Sequence, residues 1–430
     1  MALLFSLTNK SKPISPEGKQ AAVGRIADKI KDLSGTVLKR ILLIPPDATR
    51  IHSDAGLLTR LLYQHFHRHT SVEIIPALGT HAPMSRAELT RMFGPEIPAD
   101  AFLVHNWKES VSDVGTVPSE KISELSAGRF TLPVDVSVNR KLFSGYDAVI
   151  SVGQVVPHEV IGMANYTKNI CIGLGGPDII NKSHFFGAVC GMESIMGRAD
   201  TPVRRLINDC FTEFLGELPV FFLMTVMEGT GAGSEMRGIF LSDQGNEGFQ
   251  AAADLSREIN ICCLKKPLEK AVVYLDPAQY TSTWLGNKAI YRLRMAIKNE
   301  GELIVLGPGI KRFGENDEQD RLIRKYGYKG TPHVLSMVEK NRDLQGCLSA
   351  AAHLIHGSSE DRFRITYCPG PGMAKEDIEK AGFAYMPYEE AVKKYNPSEM
   401  ETGWNELKNG ETVYFVSNPG AGLWALRNHF

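Results

Sequence analysis

The chain has 430 residues, 43% hydrophobic and 23% charged, with a formal net charge of -1. This composition fits two or three soluble domains, each able to bury a full core. The near-neutral charge argues against a general affinity for nucleic acid or an anionic membrane surface, and no stretch nears the ~18 apolar residues of a membrane span.

The first residues, MALLFSLTNKSK, hold an apolar run too short and too early for a signal peptide, with no basic region before it. Seven cysteines, an odd number, lie mostly in apolar runs without any CxxC pair. They read as reduced, buried thiols of a cytoplasmic protein.

Residues 17–35 have the spacing of an amphipathic helix. ILLIPPDATR (41–50) is a strand broken at Pro45-Pro46 and running into Asp47, Thr49 and Arg50. Asp47 or Thr49 suits a helix cap, and Arg50 offers a planar fork for a carboxylate or phosphate. The next helix carries His65, His67 and His69. Residues two apart on a helix point different ways, so these three cannot converge on a metal. VEIIPALGTHAPMSRAELTRMFG repeats the pattern: a strand at 72–75, a turn at Gly79-Thr80-His81, then a helix capped by Ser85. AFLVHNW (101–107) and FTLPVDVSVN (130–139) read as strands, with His105 structural inside its apolar run.

DAVISVGQVV is a buried strand that stops at Pro157-His158. Lys168 follows ten residues on, and His184 sixteen further. Between them runs a glycine-rich stretch, 173–176, ending in Pro177. SHFFGAVCGMESIMGR reads as a helix with Ser183 as its cap and His184 in its first turn. Singly, each of these residues is more ordinarily a surface or core side chain. Together, three strands end in chemically capable loops: Asp47/Arg50, His81 and His158. In a doubly wound sheet such loops can share one crevice.

PVFFLMTVMEGTGAGSEMRGIFLSD has glycines at 229, 231 and 233, but their spacing does not match GxGxxG and a strand follows, so a hairpin is expected. A helix at 246–260 precedes the polar, proline-broken LKKPLEK (264–270). Beyond it, strands AVVYLDP, ELIVLGPGI, RITYCPGPGM and TVYFVSNPGAG alternate with helical segments, the pattern of a second α/β domain with a mostly parallel sheet. Trp284 and Lys288, at the start of its first helix, are candidates to face a cleft.

The motifs DATR (47–50), GTHAPM (79–84) and VNRKLFSGYDAVISVGQVVPHE (138–159), with the order His158, Lys168, His184, resemble the nickel-pincer-nucleotide-dependent lactate racemase family. The resemblance covers the N-terminal two thirds well and the rest more loosely. It implies that Lys168 carries the cofactor (pyridinium-3,5-bisthiocarboxylic acid mononucleotide nickel) through a thioamide. It implies further that His184 completes nickel coordination, that His81 and His158 are the catalytic histidines, and that Arg50 binds the substrate carboxylate. Asp47 and Thr49 would lie in the cofactor-facing turn, with Trp284 and Lys288 lining the site from the second domain. Breaking an unactivated C–H bond beside a hydroxyl needs an electron sink, which a hydride-accepting cofactor supplies while the protein supplies bases and orientation. Imidazole suits both the proton transfers and the nickel.

Three departures point away from lactate. Ala82 stands where the lactate enzymes carry arginine, residues 169–183 differ, and the helix that supplies them a glutamine has Trp284-Leu285-Gly286-Asn287 before Lys288. The expectation is therefore a two-domain α/β racemase or epimerase of a 2-hydroxy acid, a sugar acid such as an aldonate first and malate next. Residues 1–266 would form the cofactor-binding and catalytic domain and 267–430 a domain closing over an inter-domain site. Cofactor-building enzymes would be its partners in maturation, with the oligomeric state left open, a homo-oligomer included. The alternatives are a nicotinamide-dependent hydroxy-acid dehydrogenase, a zinc hydrolase built on the three histidines, and a nickel-nucleotide or sugar-acid binding protein.

Overall fold

The computed structural model describes residues 3–229, 233–420 and 422–430. The chain divides into two compact units, Met1–Ser183 with Ile195–Asn260, and His184–Ser194 with Ile261–Phe430.

The first unit is built on a six-stranded sheet. Its strands are β1 (Leu3–Thr8), β2 (Arg40–Ile44), β3 (Ser71–Ile74), β6 (Ala148–Gln154), β9 (Val220–Glu228) and β10 (Glu235–Ser242), in the order β1-β10-β9-β6-β2-β3. β9, β6, β2 and β3 are mutually parallel, and β10 and β1 close one side antiparallel. RILLI and AVISVGQ are buried almost throughout, as parallel strands covered on both faces must be. A separate antiparallel pair, β4 (Val111–Val117) with β5 (Val134–Asn139), and a two-residue pair, β7 (Pro157–His158) with β8 (Gly162–Met163), complete the unit's strands.

Helix Pro16–Ser34 begins on Ser15, whose hydroxyl accepts from the Gly18 amide, and ends at Gly35 in the left-handed region, φ 63°. Its apolar stripe, Ile26 and Ile30, packs with Leu58 and Leu62 of helix Ala55–Phe66 over Ile41, Leu43, Ile74 and Ile150. Each such fully buried aliphatic side chain contributes about 1.5–3 kcal/mol, enough to fix which way β2, β3 and β6 run and so where their carboxyl ends lie.

The second unit holds β11 (Ile261–Leu264), β12 (Leu268–Tyr274), β13 (Ile297–Gly307), β14 (Arg364–Pro369), β15 (Ala384–Tyr385), β16 (Gly403–Glu406), β17 (Thr412–Val416) and β18 (Leu423–Leu426). Five form a parallel sheet, β15-β14-β13-β12-β17, with β16 antiparallel at the edge, while β11 pairs β18 separately. Val272, Ile304, Leu306 and Phe415 make one of its cores. Both units are thus α/β with mostly parallel sheets.

Four expectations change. Residues 101–107 are not a strand. Phe102 makes a single bridge to Ile74, Val104 is 58% exposed, and His105 turns inward. The helix bearing His184 starts at Pro177, not Ser183. Proline at the first helical position is pre-set for it, and the Ser183 hydroxyl donates back to the Ile180 carbonyl from inside the helix. His184 is therefore in a later turn than its sequence implied. That helix also stops at Cys190, before Gly191 (φ 88°), instead of running on. Finally, all seven cysteines are free thiols, but Cys262 and Cys263 on β11 are exposed. The glycine segment after β9 joins two antiparallel strands, the hairpin topology expected; residues 230–232 lie outside the described residues.

Candidate functional site

β2 ends at Ile44; the Pro45 carbonyl still accepts the Ala77 amide and Pro46 bridges Ala77, but neither proline has an N–H to donate. Asp47 then caps the short helix Ala48–Ser53. One carboxylate oxygen accepts from the Thr49 amide (3.2 Å) and hydroxyl (2.5 Å), and the other accepts from Nδ1–H of His81 at 2.5 Å. His81 reaches it because β3 runs parallel beside β2, the Ala77 amide donates to the Pro45 carbonyl, and the chain turns at Gly79, φ 55°. The Asp47 side chain is 8% exposed and His81 57%. Burial alone would raise the Asp47 pKa. The hydrogen bond and charge of His81, the bond from Thr49 and the charge of Arg50 outweigh it and hold the group below its ordinary 3.8. With its Nδ1 proton committed to Asp47, His81 presents Nε2 as an acceptor, the arrangement by which a carboxylate orients a general base. Thr49 and Arg50 are exposed beside this pair.

β6 lies on the other side of β2, with Ile44 opposite Ser151. Past its end, His158 is buried in the β7–β8 pair, and its Nδ1 accepts the Val160 amide at 3.1 Å. A neutral imidazole held this way carries its proton on Nε2. Where both rings are neutral, His81 thus presents a lone pair at Nε2 and His158 an N–H.

Lys168 stands in the five-residue helix Thr167–Cys171. Asn169 pins that helix to the sheet, donating to the Ile44 carbonyl (3.0 Å) and the Ser151 hydroxyl (2.9 Å). Although part of the Lys168 side chain is accessible, the protein packed around it desolvates the ammonium and lowers its pKa from 10.5 to about 8. Arg50 and Arg204 push in the same direction, and Glu159 and Asp47 oppose them. Among the described residues the amine has no hydrogen bond or ion pair.

The glycine run closes this helix tightly. A Cβ at Gly173 or Gly175 would stand 2.2 or 2.1 Å from the Asn169 or Cys171 carbonyl oxygen, and one at Gly176 would stand 2.0 Å from the Ser137 hydroxyl. The Gly79 amide donates to the Gly173 carbonyl, tying the His81 loop to the Lys168 helix. His105 supports the run: Nε2–H donates to the Gly175 carbonyl (3.2 Å) and Nδ1 accepts from Asn139 (3.0 Å). Burial lowers its pKa to about 4, so it is neutral. The apolar setting of His105 already marked it as structural.

His184 is half-buried and belongs to the second unit, as do Trp284 and Lys288. Trp284 stacks on His353, centroids 4.2 Å apart, and the His353 ring nitrogens engage the Tyr291 and Tyr328 hydroxyls. Among the described residues no three His, Cys, Asp or Glu side chains converge on a metal position, so a metal here would take donors from a bound ligand.

Asp47, Thr49, Arg50, His81 and Lys168 are thus joined by direct bonds or electrostatic reach at the carboxyl ends of β2 and β3, with His158 following β6 on the other side of β2. Sequence reasoning missed Asn169, Glu159 and Arg204. Asn169 lay one residue from a flagged lysine, and Glu159 one from a flagged histidine. Arg204 carried no local signal.

In doubly wound α/β units the crevice past the carboxyl ends of the strands, where these bases and cations gather, is where ligands bind. Residues 20–196 match the family model described as the lactate racemase N-terminal domain, and over that segment the chain is lactate racemase-like. The solved structures agree in fold. A crystal structure of a protein from Thermotoga maritima is 23% identical, covers 98% of this chain and 100% of its own, and superposes with a TM-score of 0.81. The lactate racemase apoprotein from Thermoanaerobacterium thermosaccharolyticum is 15% identical, covers 94% and 92%, and gives 0.71. Comparison with curated proteins gives no match. No helix among the described residues is long and apolar enough to cross a membrane.

Proposed function

We propose that the chain is a racemase or epimerase inverting C2 of a 2-hydroxy acid, with a nickel-pincer nucleotide attached at Lys168. The observation that carries this reading is the cluster itself: an Asp47-oriented base, an adjacent arginine and a lysine whose proton is easily lost. The donor set fits such a group. An amine with its pKa near 8, without an ion-pair partner among the described residues, is disposed to acylation, and the imidazole of His184 suits nickel when soft donors come from the ligand. When bound, that group supplies a hydride acceptor.

The protein's own residues do the rest. Arg50 binds the substrate carboxylate through its fork. His81 takes the hydroxyl proton at Nε2 and returns it, and Asp47 keeps the ring in that tautomer. His158 offers Nε2–H from the other strand end. Trp284 and Lys288, candidates for substrate contact by the family resemblance, belong to the second unit. Ala82 and the Leu285-Gly286-Asn287 turn favour a substrate larger than lactate, a sugar acid such as an aldonate first and malate next. The hairpin after β9 leaves a nicotinamide enzyme without its phosphate-binding turn, since that turn needs a strand leading into a helix.

The test is intact-protein mass spectrometry with metal analysis on protein made alongside the cofactor-building enzymes, wild type against Lys168→Ala. A nucleotide-sized mass with nickel, absent from the variant, is expected, followed by solvent-independent inversion of one hydroxy acid in a panel. No added mass and no nickel, with the cofactor pathway working, sinks the reading and leaves a sugar-acid binding protein.

A further inference from the structure

We propose that Arg204 is a positioning residue for Lys168: its guanidinium clamps the strained turn 163–167 and thereby sets the direction and reactivity of the lysine amine. The inference deepens the proposed attachment role of Lys168 and rests on that reading for its purpose, though not for its geometry.

Arg204 lies in the first turn of helix Pro202–Leu215 and is only 2% exposed. Its Nη2 donates to the Met163 carbonyl (2.5 Å), Nη1 and Nη2 both donate to the Asn165 carbonyl (3.2 Å each), and Nη1 donates to the Thr167 hydroxyl (3.1 Å). All four bonds end within the five residues before Lys168. The guanidinium carbon lies 4.4 Å from the centroid of the Phe249 ring. Among the described residues it has no carboxylate partner.

The clamped turn does not hold itself. Asn165 and Tyr166 both have positive φ, 68° and 61°, and Tyr166 has ψ −138°, a region used almost only by glycine. Residues in such conformations are strained and persist only where their surroundings impose them. Tyr166 is anchored too: its hydroxyl donates to the Gln244 carbonyl at 2.6 Å, and its ring packs against Phe222 and Phe249. The Thr167 hydroxyl passes its own proton to Asn208 at 2.6 Å.

A scaffold alone would not need this. The Arg204 Nε and both polar atoms of the Asn165 side chain are buried with no hydrogen-bond partner among the described residues. Orphaned polar atoms destabilise a fold, and apolar residues commonly replace buried charges without loss of stability. What the arginine adds is a fixed fork on the turn and a fixed positive charge behind it. The charged groups acting on Lys168 are Arg50 and Arg204, which favour its neutral form, and Glu159 and Asp47, which oppose it. Arg204 itself feels Tyr166 and Cys171, and burial leaves its pKa at about 9, so it stays charged at neutral pH.

The test uses protein without cofactor. A short acetic anhydride pulse from pH 6 to 10, read by peptide mass spectrometry, gives the labelling profile of Lys168 against the surface lysine Lys121 in wild type, Arg204→Met and Arg204→Lys. Losing the charge and relaxing the turn act in the same direction. Arg204→Met should therefore move the Lys168 midpoint up by about one pH unit and cut labelling at pH 7.5 about tenfold. Arg204→Lys, which keeps charge without the fork, should fall between. Profiles that superimpose on wild type in both variants, whatever the change in melting temperature, overturn the proposal. If Arg204→Met does not fold, Thr167→Val removes one bond of the clamp and must shift the profile the same way; an unmoved profile refutes. A profile that follows Arg204 in a protein that never takes up the nucleotide upholds the clamp and removes the proposed function.

Discussion

Replacing Lys168 with methionine should stabilise the cofactor-free protein at neutral pH, and the gain should vanish in alkali. The folded state lowers the lysine pKa from 10.5 to about 8, chiefly by desolvation. At 1.36 kcal/mol per pKa unit the ceiling is ~3 kcal/mol, and the solvent that reaches part of the side chain reduces it to roughly 1–2 kcal/mol. The sign follows from which state holds the proton. Below pH 8 Lys168 is protonated folded and unfolded, and the folded state carries the full penalty. Between 8 and 10.5 the folded state has released the proton while the unfolded state keeps it, so the penalty shrinks. Above 10.5 both are neutral and it is gone. Methionine keeps the stem's packing and omits the charge. Urea denaturation of both proteins at pH 7 and pH 10 measures the gap. A gap of equal size at both pH values, or a variant less stable at pH 7, would refute the claim that the amine is held against its preferred charge.

Asp47→Asn keeps the shape of the turn but no longer orders the His81 tautomer. Inversion of the true substrate should fall about 10²- to 10⁴-fold with melting temperature little changed, and the wild-type pair, whose Asp47 pKa lies below 3.8, should survive to mildly acidic pH and fail only as pH drops through that lowered value. His105→Leu orphans the Gly175 carbonyl and the Asn139 amide and should cost about 2–4 kcal/mol at pH 7 by urea melts. Because the His105 pKa is lowered to about 4, wild type should lose stability as pH falls from 6.5 through 4, a loss the variant should lack. Gly175→Ala drives a Cβ to 2.1 Å from the Cys171 carbonyl oxygen and should destabilise by about 1–3 kcal/mol; an unchanged melting temperature would show that the Lys168 helix shifts freely.

The strand ends were legible because hydrophobic runs stop abruptly at proline or glycine, and parallel neighbours bring such ends to one edge. Thus Asp47, His81 and His158 could be grouped from spacing alone. The helix before His184 was misread because Ser183 imitates a cap, whereas Pro177 and the tight glycines before it set the true start. Residues 101–107 looked like a strand because hydrophobicity does not reveal pairing; only Ile74 offers a bridge, and His105 is drawn inward by Gly175 and Asn139. Arg204 was invisible for a different reason. Its neighbour Arg205 pairs with Asp200 in solvent, and nothing in RRLIND separates the two. The partners that bury Arg204, Met163, Asn165 and Phe249, lie about 40 residues away in sequence on either side.

The two histidines give the arrangement its direction. His81 is oriented by a carboxylate and can gain a proton at Nε2, while His158 spends its lone pair at Nδ1 on the Val160 amide and can first only give one. For His158 to accept at Nε2, its proton must leave that atom; moving it to Nδ1 would set two N–H groups against each other at 3.1 Å. On the proposed reading, inversion in one direction begins with a base already poised, and in the other it begins by resetting His158. The equilibrium between the two stereoisomers belongs to the substrates alone, so on that reading the asymmetry shows in the separate kcat and KM values of the two directions and not in their ratio of kcat/KM.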